Sequence, residues 1–585
     1  MRRNDAVRAV MLLMLLLQFL VSVSGVQGAT IYVNSTGWWL EGNSFNSTNT
    51  PIQAALNNVT SLDANIIRIN VSDTPYLGGI NVSQLAQTTP WLLITNNGTG
   101  IPTISGNGFW GFNVSVNNVI IRGLRIESAN MAVWNSNPIS NLTVIDCIIN
   151  GSTYGIYLDQ VIDSKFDNNT ITNVQIYSIY LNNSTNCIIA NNTVRNTAWG
   201  IYLNNSNGNT IYNNFFAAQN NAYDNGTNAW NISRTPGQNI IGGPYLGGNF
   251  WSDYYGDDLD GDGIGDTPYN ENINGSDMLP LLAIYFVQPT PPSGFNTTDD
   301  VTVNVTYTFQ PQALVLNYTL YNPNPQQPVE VTLDLASHNY TFTQEGRYFY
   351  YAWMNDSNNN TYRTFQRSFC IDRSPPNSNI NYLPFVQPLE GSSVSGNVVV
   401  NVSAIDTLTG VAFVRFYWDN GTSSGFINNV TSPTTGNIYN GFWQCVWDTS
   451  TLVDGEYNLT ASFYDFAGNY NNISMSVIVD NDRLAISASS DTTPTYANQR
   501  VYFYANYTHA GNAITPANGG TCTIQINYRS WNGSITDSTS GQMTYNSSSG
   551  LYEFNVSGYP DWGVIKYTIQ ANNTAGFENI TKTSK

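Results

Sequence analysis

Tyr154-Gly155-Ile156-Tyr157-Leu158 returns as Tyr177-Ser178-Ile179-Tyr180-Leu181, and again as Trp199-Gly200-Ile201-Tyr202-Leu203. The steps are 23 and 22 residues, the length of one coil of a β-solenoid. A second motif keeps the same step: Asp167-Asn168-Asn169-Thr170, Ala190-Asn191-Asn192-Thr193 and Tyr212-Asn213-Asn214-Phe215. Val144-Ile145-Asp146-Cys147 and Val119-Ile120-Ile121-Arg122 extend it upstream with less fidelity. A rung this short carries strands of a few residues and buries its apolar face only by stacking on its neighbours. With side chains alternating along a strand, Ile156, Ile179 and Ile201 form one inward column, and Leu158, Leu181 and Leu203 the next. Tyr157, Tyr180 and Tyr202 then form an outward ladder, about 4.8 Å per step. The paired asparagines fall where the coil turns, a place for left-handed backbone and for hydrogen bonds from rung to rung. The spacing predicts an all-β chain whose first half is a right-handed parallel β-helix.

The stack needs a cap, because its end exposes unpaired strand edges. Pro51-Ile52-Gln53-Ala54-Ala55-Leu56 reads as a short helix begun at proline. Extended segments follow at Ile66 to Val71, Gly79 to Val82 and Trp91 to Thr95. Downstream come Gly248-Asn249-Phe250-Trp251-Ser252-Asp253-Tyr254, Asp260-Gly261-Asp262-Gly263-Ile264-Gly265-Asp266, Pro268-Tyr269 and Pro280-Leu281. These residues resemble the closing element of secreted β-helix proteins of the copper-maturation (NosD-like) and carbohydrate-binding type, archaeal members among them. The resemblance covers roughly residues 30 to 283 and implies a secreted β-helix.

Beyond it, Pro289-Thr290-Pro291-Pro292 and Arg373-Ser374-Pro375-Pro376 punctuate the chain as linkers. Strict alternation marks strands such as Val301-Thr302-Val303-Asn304-Val305 and Ile473-Ser474-Met475-Ser476-Val477. A turn-then-strand signal recurs at Glu345-Gly346-Arg347-Tyr348, Asp454-Gly455-Glu456-Tyr457 and, more loosely, Trp562 to Tyr567, a spacing of about 110 residues that suits Ig-like sandwiches. The middle copy resembles bacterial Ig-like surface modules. The expected organisation is a signal peptide at 1–28, the β-helix with its Asp-rich closing loop at 29–283, and sandwiches at 284–373, 374–480 and 481–585.

Arg2, Arg3 and Arg8 precede an apolar run from Ala9 to Val21, and Val26-Gln27-Gly28 precedes Ala29 as at a secretory cleavage site. The mature chain is expected to have no membrane span. Only 10% of residues are charged, yet the net charge is −19, and without basic clusters nucleic acid is not an expected partner. The five cysteines fall in separate modules or, for Cys147 and Cys187, about two rungs apart, so free buried thiols are expected rather than disulfides. Asn-x-Ser/Thr occurs about 34 times, roughly twice what composition alone gives. Asn34, Asn97, Asn141, Asn204, Asn304, Asn401, Asn506 and Asn579 are glycosylation candidates, with turn and strand preference as the bland alternative. So many acceptors on an exported chain resemble an archaeal surface protein.

The clearest site signal is Asp258-Leu259-Asp260-Gly261-Asp262-Gly263-Ile264-Gly265-Asp266. Asp258, Asp260, Asp262 and Asp266, with the carbonyl of Ile264, follow the spacing of a calcium loop. Position 12 is Tyr269 rather than the glutamate of an EF-hand, and Asp253, Asp257 or Asp277 is expected to complete a structural calcium site. The tyrosine ladder at Tyr157, Tyr180 and Tyr202 is a candidate platform for cell-surface glycans, weighed against plain cross-strand stacking. Polysaccharide lyase or glycoside hydrolase is the rival. Its raw material is Asp146, Asp159, Asp163 and Asp167 with Arg122, Arg125, Lys165 and Arg195, but Asp146 lies over Asn168 and Asp159 over Asn182, so the carboxylates do not cluster. Copper is disfavoured by the two histidines, His338 and His509, lying in the sandwiches. The expected function is a non-catalytic surface protein serving adhesion, glycan binding or a surface layer built with other surface proteins.

Overall fold

The computed structural model describes residues 29–584 apart from 323, 491–497, 510–511, 532, 534–535, 560–562 and 574–579. The signal segment, Trp562 and Asn579 lie outside the described residues. The chain is all-β, a parallel β-helix followed by sandwiches. The coils build three parallel sheets, of which the third contains Phe112–Val114, Met131–Asn135, Tyr154–Asp159, Tyr177–Asn182, Trp199–Asn204 and Asn220–Asp224. Ile156, Ile179 and Ile201 are in register, as are Leu158, Leu181 and Leu203, and all six are fully buried. Each such side chain contributes about 1.5–3 kcal/mol on burial. The N-terminal end is closed by Pro51–Asn57, a helix that turns Ile52, Ala55 and Leu56 inward, and by antiparallel strands Ala29–Asn34 and Gly37–Leu40.

The paired asparagines divide their work. The first of each pair, Asn168, Asn191 or Asn213, takes the left-handed backbone that the corner demands. The second, Asn169, Asn192 or Asn214, points inward and is fully shielded from solvent. The side-chain oxygens of Asn192 and Asn214 each accept both the backbone and the side-chain N–H of the asparagine one coil earlier, and that of Asn169 accepts the backbone N–H of Cys147. The ladder opens at the backbone N–H of Cys147, passes through Asn169, Asn192, Asn214 and Asn249, and ends on the buried carboxylate of Asp277. A second ladder runs from Cys187 through Asn209 and Asn228 to Asp224. Each terminal carboxylate also accepts an indole N–H, from Trp251 at Asp277 and from Trp230 at Asp224. Each ladder amide sends one N–H back to a carbonyl of the preceding coil and the other forward to the next asparagine, so the side-chain-to-side-chain bonds run one way and finish on a carboxylate.

Cys147 and Cys187 therefore stand on different corners of the coil, not two rungs apart in one column. A ladder's own register separates them, because Cys147 aligns with Asn169 and Cys187 with Ser164. All five cysteines are free and buried.

The β-helix does not end in solvent. Phe215, Ile241, Phe250, Ile264 and Leu281 share one hydrophobic core with Val303, Leu316, Tyr350 and Phe369 of the first sandwich. Arg367, with a side chain only 4% exposed, reaches across to Asp257 at 2.7 Å, donates to the Asp258 carbonyl and lies over the Phe286 ring. The two later sandwiches have cores of their own, built around Trp443 and Phe463 and around Phe503 and Ile526.

Candidate functional site

The Asp-rich loop sits at this junction. Glycines at 261 and 263 adopt positive φ, which lets the chain turn tightly enough to gather alternate side chains. Asp258 is buried and accepts the N–H groups of Gly261 and Gly263; Asp262 accepts that of Ile264. Asp258, Asp260 and Asp262 each offer an oxygen within 4.8 Å of the others. Asp266 stands outside that group and closes the loop by accepting the N–H of Leu259. Burial first, then Asp262 and Asp260, pushes Asp258 up to about 6, and burial raises Asp262. The three other aspartates expected to help are occupied elsewhere: Asp253 with Asn221 and Tyr269, Asp257 with Arg367, and Asp277 with its ladder.

One cation already faces the loop, and nothing in the loop's own sequence announces it. Arg234 reaches Asp262 at 2.5 Å and Asp260 at 3.8 Å while its guanidinium stacks on Tyr245, 4.0 Å from the ring centre.

The second candidate is the outer face of the third sheet. Trp134, Tyr157, Tyr180, Tyr202 and Tyr223 align in one column, and Tyr154, Tyr177 and Trp199 in the column beside it. Rings Tyr157 and Tyr180 lie 4.5 Å apart and only 9° from parallel; Tyr202 and Tyr223 lie 4.3 Å apart at 19°. The first column is therefore stacked face to face rather than laid out coplanar. Its ring faces are spent on one another, and edges and hydroxyls are what remain for solvent. Burial and the neighbouring tyrosines push the Tyr180 hydroxyl up to about 12, so it stays a donor at neutral pH. Beside the rings runs a polar ladder: Asn182 and Asn183 donate to Asp159, Asn204 donates to Asn182, and Asn225 to Asn204. These strands contain no lysine, arginine or histidine.

The raw material for catalysis is dispersed. Arg122 pairs with Asp146 and Lys165 with Asp167, while Asn168 donates to Asp146 and Asp159 aligns with Asn182. Several glycosylation candidates belong to ladders as well: the side-chain amides of Asn97, Asn141 and Asn204 donate to Asn70, Asn118 and Asn182. Asn304 donates to the carbonyl of Gln288, whereas Asn34 and Asn506 lie on or near the surface.

Residues 94–256 match the family model described as periplasmic copper-binding protein (NosD), and residues 384–461 match the bacterial Ig domain. No curated protein matches the chain. Among solved structures, the fibronectin(III)-like modules of Clostridium thermocellum CbhA are 14% identical at a TM-score of 0.18, over 34% of this chain and 94% of that one. Chicken CNTN1 FN1–FN3 is 9% identical at 0.19, over 52% and 98%. Dimeric latent PorU from Porphyromonas gingivalis is 14% identical at 0.16, over 52% of this chain and about a third (34%) of its own length. Scores this low carry no functional weight.

The residues present do not suit copper. The matched segment holds no histidine; its two thiols, Cys147 and Cys187, are buried and pushed up to about 12 by that burial. His338 and His509 lie elsewhere, with their ring nitrogens against the carbonyls of Leu335 and Ser450. Among the described residues no helix is long and apolar enough to cross a membrane.

Proposed function

We propose that this chain is a non-catalytic protein of the cell exterior, in which a calcium-locked β-helix presents the outer face of its third sheet to glycans. The observation that carries the reading is that face: two columns of aromatic rings beside a ladder of Asn and Asp side chains, without a cationic side chain. Such a surface recognises a neutral sugar chain by phenol hydroxyls and amides, and disfavours an acidic one that would meet Asp159. The shared core with the first sandwich holds the face rigidly, and the sandwiches project it. An extracellular or periplasmic setting fits the two family descriptions. Asn34, Asn97, Asn141, Asn204, Asn304, Asn401 and Asn506 are carbohydrate attachment sites in this reading; a glycan on Asn204 would rim the aromatic face.

In the Asp loop, Asp258, Asp260 and Asp262 would hold calcium, with Arg234 displaced from Asp262 as the ion enters. The ion's chemistry there is structural, since hard oxygen donors neutralised by one cation remove the mutual repulsion of the carboxylates.

Affinity electrophoresis in neutral and acidic polysaccharides tests the glycan reading. Retardation by a neutral polymer is expected, and the triple change Tyr157→Phe, Tyr180→Phe, Tyr202→Phe should abolish it, because phenylalanine keeps the stack and removes the hydroxyls. A triple variant that still binds, or a wild-type chain retarded by none of the polymers, refutes it.

A further inference from the structure

The three carboxylates that meet between the first and second sandwiches have no part in the proposed function. Asp372 follows the last strand of the first sandwich, Arg367–Ile371. Asp406 and Asp465 head two loops of the second sandwich, between Asn397–Ile405 and Val411–Asp419 and after Gly455–Asp465. All three are buried, and each offers an oxygen within 4.8 Å of the others.

The cluster is the joint itself. Thr409 donates to Asp372 from its backbone N–H at 3.1 Å and its hydroxyl at 2.6 Å, and the Asn469 side chain donates to the Asp372 carbonyl at 2.8 Å. Asp406 shapes the first loop by accepting the N–H groups of Leu408 and Gly410; Asp465 shapes the second by accepting those of Ala467 and Asn469. Removing these loops' order removes the docking contacts.

Ser374 and Thr409 donate hydrogen bonds to the Asp372 carboxylate. The facing titratable and charged groups are Glu345, which accepts N–H groups of Arg373 and Ser374; Arg347, bound to the Leu408 carbonyl and the Tyr439 hydroxyl; Cys370; and Arg373, paired with Asp300. Among the described residues none of the three aspartates has an ion pair within 4.0 Å.

We propose that this joint is a proton-operated hinge, docked when Asp372 or Asp406 carries a proton and loosened when neither does. Docking holds like charges together in a dry site, which disfavours full ionisation. Burial, and then the charge of Asp406, pushes docked Asp372 up to about 6, and burial raises Asp406. An undocked Asp372 is an ordinary aspartate near 3.8. Between those values the docked joint binds a proton that the open joint does not, so docking is strongest on the acidic side and is lost as pH rises through about 6.

Spin labels on Ser357→Cys in the first sandwich and Ser423→Cys in the second, both exposed positions, report the joint in the full chain. Pulsed dipolar spectroscopy should give one narrow distance at pH 5 that broadens by pH 8, with a midpoint near 6. Asp372→Asn, a mimic of the protonated side chain, should stay narrow at both pH values. Thr409→Val removes a donor to the ionised carboxylate and should move the midpoint to higher pH. A wild-type distribution equally narrow at pH 5 and pH 8 overturns the proposal and needs no variant to fold. So does a chelator-treated protein that narrows at pH 8 on addition of calcium, since the joint would then answer to a cation rather than to protons.

Discussion

Asn192→Ala removes the middle of the longer asparagine ladder. The side chain is fully buried and makes four hydrogen bonds: it donates to the Phe166 carbonyl and to Asn214 at 2.9 Å, and accepts the backbone and side-chain N–H groups of Asn169 at 3.0 and 2.9 Å. A typical intramolecular hydrogen bond contributes about 0.5–1.5 kcal/mol net, so the four together give about 4 kcal/mol. That corresponds to about a thousandfold in the opening equilibrium of the coil. Hydrogen exchange followed by mass spectrometry should therefore show peptides over residues 166–171 and 188–195 exchanging about three decades faster. Asn183→Gly is the control. It stands one turn away, is exposed, has a left-handed backbone that glycine adopts freely, and its side chain donates only to Asp159 at 3.2 Å, so its effect should stay within about 0.5 kcal/mol. Acceleration below about tenfold in Asn192→Ala, or equal acceleration in the control, would refute the claim that the internal ladder holds the coils together.

Arg367→Met removes a buried cation from half-buried Asp257 and should cost about 1.5–3 kcal/mol, read in calorimetry as a lowered and split transition of the β-helix and first sandwich. Calcium should raise the melting temperature, chelator should reverse the gain, and Asp258→Asn should abolish it. Arg234→Gln should lower the calcium concentration at which the gain is half complete, because a tethered competitor for Asp262 has gone. None of the five buried thiols should react with iodoacetamide in the native chain, and all five should react after unfolding in guanidinium.

Local periodicity and long-range placement were not equally visible in the residues. The inward columns at Ile156 and Leu158 are visible because one coil repeats after 22 or 23 residues, and stacking converts that step into contact. The face that Tyr180 presents was visible too, but not its ring angle, which depends on rotamers shared with Tyr157 and Tyr202. Of the loop, Asp258, Asp260 and Asp262 converge as their spacing requires, whereas Arg234 comes from a distant turn with no sequence signal. The aspartates at 372, 406 and 465 were invisible for the same reason, since three segments far apart in the chain meet only when two sandwiches dock. The abundance of Asn-x-Ser/Thr has a second cause within the β-helix. A corner asparagine, a ladder asparagine and a strand-opening threonine, as in Asn191-Asn192-Thr193, spell an acceptor triplet while serving the coil.

The polarity of that ladder bears on how such a protein changes length. The coils of Asn192 and Asn214 each receive the same two donors from the coil before and hand the same two to the coil after. A duplicated or deleted coil would leave no orphaned group, provided Cys147 still starts the series and Asp277 still ends it. This stretch of the β-helix is thus an interchangeable series between two dedicated ends. Duplication within a gene would lengthen its aromatic face one ring per column at a time, leaving the joint to the first sandwich untouched.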